Sequence, residues 1–440
     1  MLSRRPPDAL PCSFLLLLAS DELNRSNLKS PPHVRGRAHD RGHNDAYANS
    51  RARHLCRTAR ALSATRGVSS RACCGSSLPL THTPTSSFLR HTQDIPRCEH
   101  ASGKRFYIEN AKEELKESQF YYDRQSRELT YLPTASELAG GLAQFVAHAP
   151  QLITPVTITA SGVSIKDLSV KFAAADMSGF FEGDCDGQSA TNLLTGAVQL
   201  ACERGQPSDQ GKGCENVLIS RVEIAHTGGF GLLVGQPDHR PVPHKNAPTA
   251  RVQNAMFSRL RVHDVGAGAV RLGTVLQAGG TVHTGSTLAT SFANISLLDS
   301  ELYDGGHVYL MGPGLQIGGC HGCEFSHNSI HDFLYTGITT GFGFKDDLIK
   351  DVTLAHNRIY NIARSTAEYG LSDLGCFYAW GGKQTGLLVD HNLCHNVSSY
   401  SYGGWGMYND QTSQDIVWTN NIIYGTRDAC YHDHEVDLYV

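Results

Sequence analysis

Four stretches decide the fold: His327-Asn328-Ser329-Ile330-His331-Asp332-Phe333, His356-Asn357-Arg358-Ile359-Tyr360-Asn361-Ile362, His391-Asn392-Leu393-Cys394-His395-Asn396-Val397 and Asn420-Asn421-Ile422-Ile423-Tyr424-Gly425-Thr426. Each runs from a polar pair through an apolar residue to an aromatic or imidazole ring and a turn residue. The same pattern, more loosely kept, sits at Val262-His263-Asp264-Val265-Gly266 and Leu302-Tyr303-Asp304-Gly305-Gly306. Anchors Ile224, Val262, Leu302, Ile330, Ile359, Cys394 and Ile423 recur at intervals of 28 to 40 residues. Irregular spacing above a floor suits a β-solenoid, whose coils are short strands joined by loops of variable length. Propeller blades need four antiparallel strands each, more than these units contain. Parallel coils stack about 4.8 Å apart, so like residues form ladders. Asn ladders would satisfy buried backbone at the turns, and Ile, Val and Leu would fill the bore.

Working outward, Phe120-Tyr121-Tyr122-Asp123-Arg124 and Glu128-Leu129-Thr130-Tyr131-Leu132-Pro133 predict a β-hairpin, after a short polar helix over 111–117. Order is expected to begin at Phe106-Tyr107-Ile108-Glu109-Asn110. Residues 21–103 show no periodicity and predict a disordered leader. The division is therefore a leader over 1–104, a hairpin segment over 105–150 and a solenoid over 151–440. Arg4-Arg5 ahead of the apolar residues 13–19 has the layout of a secretory signal, with an organelle transit segment as the alternative. The triplets Asn294-Ile295-Ser296 and Asn396-Val397-Ser398 are compatible with secretion.

Composition narrows the function. The 440 residues include 44 glycines, against a helix bundle or coiled coil. No apolar run reaches the roughly 18 residues of a membrane span. Of 38 basic and 42 acidic residues, 15 and 7 fall in the first hundred, which leaves 23 against 35 in the body. An acidic body lacks the Lys and Arg that track phosphates, so neutral ligands are expected and nucleic acid is not. Five of the 13 cysteines precede residue 100, and their spacing defines no disulfide framework. Cys320-His321-Gly322-Cys323 lacks the second Cys pair of a zinc site and reads as a loop with buried thiols.

Candidate chemistry lies in the last two complete coils. Leu371-Ser372-Asp373-Leu374-Gly375-Cys376-Phe377-Tyr378 and Gly404-Trp405-Gly406-Met407-Tyr408-Asn409-Asp410 each place an acid beside an aromatic strand. The acids are 37 residues apart and their coil anchors 35, which predicts near neighbours stacked on adjacent coils. Two such carboxylates cannot both ionise cheaply, so one can hold a proton while the other stays charged, as glycosidic cleavage requires. An aspartate in either place could equally cap a turn. Trp380, Tyr402 and Trp405 offer flat faces to a sugar ring. His432 and His434, at i and i+2, share one side of a strand and could bind substrate, assist proton transfer or, least of all, hold a metal.

Together these residues resemble glycoside hydrolase family 141. The likeness runs over about 105–435, through Phe106–Pro133, His263–Gly268, His331–Ile338, Leu371–Asp373, Ser399–Gly406 and His432–His434. It implies a right-handed parallel β-helix of the pectate-lyase-like superfamily, with fucosidase and xylanase activities among its members. It places the catalytic acids at Asp373 and Asp410 and adds Tyr335, Tyr378 and Tyr408 to the substrate-binding candidates. It implies no cofactor and no metal. Two departures stand out: Gly375-Cys376-Phe377-Tyr378 where members have Gly-Gly-Ile-Tyr, and Asn409-Asp410-Gln411-Thr412-Ser413 where they have Leu-Asp-Glu-Gly-Ser. Members also continue for several coils past the position of Val440, so the chain is expected to be incomplete at both ends.

The reading is a secreted, monomeric glycoside hydrolase acting on a neutral or weakly charged plant or algal polysaccharide. Two alternatives share the fold. A polysaccharide lyase or epimerase would want a positive cleft and often Ca²⁺, but the late coils offer Arg358, Arg364 and Lys383 alone. A glycan-binding solenoid would need neither acid.

Overall fold

The computed structural model describes residues 14–15, 110–123, 125–175, 194–202, 213–235, 251–273, 292–341, 349–363 and 371–434. The expected leader lies outside them, apart from Phe14–Leu15, a two-residue strand parallel to Ala147–His148. So do the expected first strand residues before Asn110. The chain divides into two compact units, one holding the hairpin and one the solenoid.

In the first unit, Gln119–Asp123 and Glu128–Leu132 pair antiparallel, with Phe120 opposite Tyr131 and Tyr122 opposite Leu129. The expected helix over 111–117 is reduced to one 3₁₀ turn, Lys112–Glu114. That turn buries no side chain, so nothing supports a longer helix.

The second unit is a right-handed parallel β-helix with three walls. The first wall is a nine-stranded parallel sheet: Val156–Ile158, Gly196–Leu200, Phe230–Val234, Val270–Leu272, Leu315–Ile317, Ile338–Gly341, Gly375–Trp380, Trp405–Asn409 and Tyr431–Asp433, in chain order. The second and third walls meet at a sharp corner, through which Ser164–Ala173 and Leu218–Thr227 run without a break. The corner residue takes the left-handed conformation on every coil: Asp167, Arg221, Arg259, Asp299, His327, His356, His391 and Asn420. That is why a polar residue recurs there, since the corner side chain is exposed on every coil and a branched apolar one tolerates positive φ poorly.

The third wall carries the predicted register. Val170, Ile224, Val262, Leu302, Ile330, Ile359, Cys394 and Ile423 pair in one unbroken row. All but the last are buried, and Ile423 packs against the core from the final described coil. Beside them runs an Asn ladder. Asn357 Oδ1 accepts both the backbone N–H and the Nδ2–H of Asn328, and Asn392 and Asn421 repeat the pattern one and two coils on. Each Nδ2 also donates to a backbone carbonyl, as Asn357 does to Phe325 at 2.9 Å. Outside the anchors, His263, Tyr303, His331, Tyr360, His395 and Tyr424 stack ring on ring at 4.5–5.1 Å.

Across the bore, the anchors face the residues that open the first wall. A Cβ on Gly337 would lie 2.5 Å from Ile359 Cγ2, and one on Gly406 would lie 2.4 Å from Ile423 Cγ2. Only glycine fits opposite a branched anchor. The intervening coil has Cys376 in that row and Cys394 as anchor, and the two form a disulfide. Cys202–Cys214 and Cys320–Cys323 are also bridged. The latter corrects the expectation of a loop with buried thiols: both sulfurs are buried, but they are bridged, and Cys320–His321 is a strand.

Candidate functional site

The two candidate acids meet above the last described strands of the first wall. Phe377, Met407 and Tyr431 form one row of that wall and turn inward, where Phe377 and Tyr431 meet Trp418 edge-on. Alternation along a strand therefore sends the next row, Tyr378, Tyr408 and His432, to the outer face. Asp373 lies just ahead of one strand and Asp410 just past the end of the next.

Register alone does not bring the acids together. One position past the Ala379–Asn409 pair, Asp410 falls beside Trp380, seven residues beyond Asp373. The expectation that the acids stack directly is corrected accordingly: the first wall repeats every 30 residues here, not 35, because Tyr378 pairs with Tyr408. Two local features close the gap. Asp373 takes a left-handed conformation that bends the chain ahead of the strand, and a tyrosine spans the rest. The Tyr378 O–H lies 2.6 Å from Asp410 Oδ2 and 3.4 Å from Asp373 Oδ2. The two carboxylate oxygens are therefore no farther apart than the sum of those contacts, 6.0 Å.

The remaining partners treat the acids differently. Asp410 is buried, 8% exposed, and its Oδ1 accepts the Gln411 N–H at 2.8 Å and meets His434 Nδ1 at 2.8 Å. Asp373 is half-buried and accepts the Tyr408 O–H at 3.1 Å. Burial pushes the Tyr378 hydroxyl far up, with Tyr335 and the two carboxylates adding to it. Burial, then Asp373 and Asp410, does the same to Tyr408 and Tyr402. The Tyr378 and Tyr408 phenols keep their protons and serve as fixed donors facing a pair of acids.

The aromatic candidates divide into supports and exposed faces. Tyr335, Tyr378 and Tyr408 are buried, and Tyr335 backs Tyr378 at 6.4 Å between ring centres. Trp405 is corrected from a sugar platform to a support, since it is buried and His432 lies flat on it at 4.4 Å and 7°. Tyr402 is 53% exposed, and Trp380, His432 and His434 are not buried, so these four are the faces open to a ligand. His432 and His434 share one side, as expected, with ring centres 6.2 Å apart.

Sequence reasoning missed what holds the loop 399–404. Arg427 Nη1 donates to Ser399 Oγ and Nη2 to the Ser401 carbonyl, while Asp428 Oδ2 accepts the Gly403 N–H. Ser401 N–H in turn donates to Ser372 Oγ, next to Asp373. Gly403 has φ +85°, and a Cβ there would sit 2.9 Å from the Asp373 backbone nitrogen. Two consecutive glycines after Tyr402 were the signal: a close backbone approach that admits no side chain.

No family model matches the chain, and no curated protein matches it. Among solved structures, a glycoside hydrolase superposes with TM-score 0.52 at 14% identity, over 79% of this chain and 60% of that one. The A-module of the Azotobacter vinelandii mannuronan C-5 epimerase AlgE4 aligns at TM-score 0.28 and 10% identity, over 67% of this chain and 78% of that one. The first likeness supports the parallel β-helix and nothing finer. The chain spans about 60% of the length of that hydrolase.

Proposed function

We propose that the chain is a glycoside hydrolase of the family 141 type, cleaving a neutral plant or algal cell-wall polysaccharide by double displacement with retention. The observation that carries this reading is the single tyrosine hydroxyl reaching both Asp373 and Asp410. Carboxyl groups about 5–5.5 Å apart act as nucleophile and acid, whereas inversion needs about 6.5–9.5 Å to admit a water between them. A ceiling of 6.0 Å on the facing oxygen pair supports the shorter, retaining separation.

The hydrogen bonds support a division of roles between the acids. Asp410, fixed by the Tyr378 O–H and the Gln411 N–H, attacks the anomeric carbon. Asp373, more exposed and farther from Tyr378, gives its proton to the leaving oxygen as the glycosidic C–O bond breaks. Asp373 then takes a proton from water, whose oxygen displaces Asp410 from the glycosyl ester and frees both for the next cycle. Tyr402, Trp380, His432 and His434 contact the sugar. Both acids come from one chain, so a monomer suffices. Three disulfides support work in an oxidising, extracellular setting.

The test is release of reducing ends from xylans and fucosylated glycans by the wild type, Asp373→Asn and Asp410→Asn. Loss in both variants with unchanged melting is expected; full activity in both would end the reading. Glycan binding without cleavage by the wild type would make the protein an adhesive solenoid instead. Chelator-sensitive release of unsaturated uronates would make it a lyase.

A further inference from the structure

On the third wall a second row of left-handed residues follows the ring stack: His226, Asp264, Asp304, Asp332, Asn361 and Asn396. Asp264 and Asp304 are direct neighbours in it, because His263 pairs with Tyr303 and Val265 with Gly305 on either side. One coil rise, about 4.8 Å, brings the two carboxylates together. Over them the chain folds back. The N–H groups of Gly306 and His307 donate to the Val265 carbonyl, and those of Val308 and Tyr309 to that of Gly266. This turn sets His307 Nε2 3.1 Å from Asp304 Oδ1 and 3.7 Å from Asp264 Oδ1. The other oxygen of Asp264 is in close contact with His226 Nδ1.

We propose that Asp264 Oδ1, Asp304 Oδ1 and His307 Nε2 form a binding site for a divalent transition metal of the zinc type, with His226 orienting Asp264 from behind. Two of the three donor spacings are what such an ion needs. Ligands about 2.0–2.1 Å from a tetrahedral zinc are separated by edges of roughly 3.3–3.4 Å, and the two imidazole–carboxylate distances bracket that value. All three donor atoms lie within 4.8 Å of one another. One nitrogen and two oxygens suit a borderline cation, whereas Ca²⁺ wants six to eight oxygens, more than this site supplies. A ligating carboxylate held from behind by a second group is the usual support of such a site, and here His226 is that group. Two stacked carboxylates also call for a positive partner, which a dication supplies more fully than one imidazolium. Water completes the coordination, because the His307 side chain is 44% exposed.

The ion would clip the turn at 306–311 to the coil beneath it. One third-wall strand, Ser329–Phe333, lies between this site and Arg358–Ile362, the third-wall strand of the Asp373 coil, so its role is stability rather than catalysis. Titrating the full chain with Zn²⁺ by calorimetry, and following its melting temperature, tests the site without any substrate. Wild type should bind one equivalent with a rise in melting temperature, and Ca²⁺ should give none. His307→Ala and Asp304→Asn, each checked for folding by circular dichroism, should weaken that binding at least about tenfold, while Asp373→Asn keeps it. A wild type without a Zn²⁺-dependent rise, or variants that titrate like the wild type, would overturn the proposal.

Discussion

The third wall and the outer face of the first wall solve opposite problems with the same coil. On the third wall the Asn, anchor and ring rows rest like on like: Asn357 on Asn328, Ile359 on Ile330, Tyr360 on His331. On the first wall, Asp373 and Asp410 belong to different rows, sit at opposite ends of their strands and meet through Tyr378. A residue whose ladder explains it needs no function. A residue that leaves its ladder to face another acid has been placed for something the stacking does not require.

Substitutions should separate the two regions cleanly. At the site, Asp373→Asn and Asp410→Asn should each lower turnover by at least about 10³-fold, within the range of a lost acid or nucleophile, and leave the melting temperature alone. In the ladder the effect should be reversed. Asn357→Ala strips the partner from the Asn328 N–H and Nδ2–H and leaves them buried; a cost of about 2–3 kcal/mol is expected from stranded donors. Calorimetry should record it, with activity per folded molecule unchanged.

The smallest effect should come from the rim of the third wall. The Lys171 ammonium, together with His263 and Ser169, holds the Glu223 carboxyl down at about 2. Its folded pKa lies below the unfolded value of about 4.3, so its contribution is present above pH 4.3 and is lost as pH falls through 2. Glu223→Gln should therefore melt slightly lower at neutral pH, and the gap from wild type should close between about pH 4 and 2.

The ladder was legible and the site only in part, for a physical reason. Parallel stacking repeats a requirement on every coil, so anchors, polar corners and rings return in the sequence and can be aligned with one another. The site repeats nothing. Its acids stand out as polar residues beside aromatic strands, yet the 35-residue step belongs to the third wall, while the first wall repeats every 30. What joins them is the bend at Asp373 and the length of a tyrosine, and neither leaves a periodic trace. The Cys376 departure shows the converse. Read singly it is a departure from Gly-Gly-Ile-Tyr; across the bore it is one half of a compensated pair, cysteine opposite cysteine where neighbouring coils set glycine opposite isoleucine.

The most direct measurement is the anomeric configuration of the first sugar released, followed by proton NMR before mutarotation. Two carboxylates within reach of one phenol predict a product with the configuration of the substrate. An inverted sugar, or an unsaturated one formed by elimination, would contradict the account.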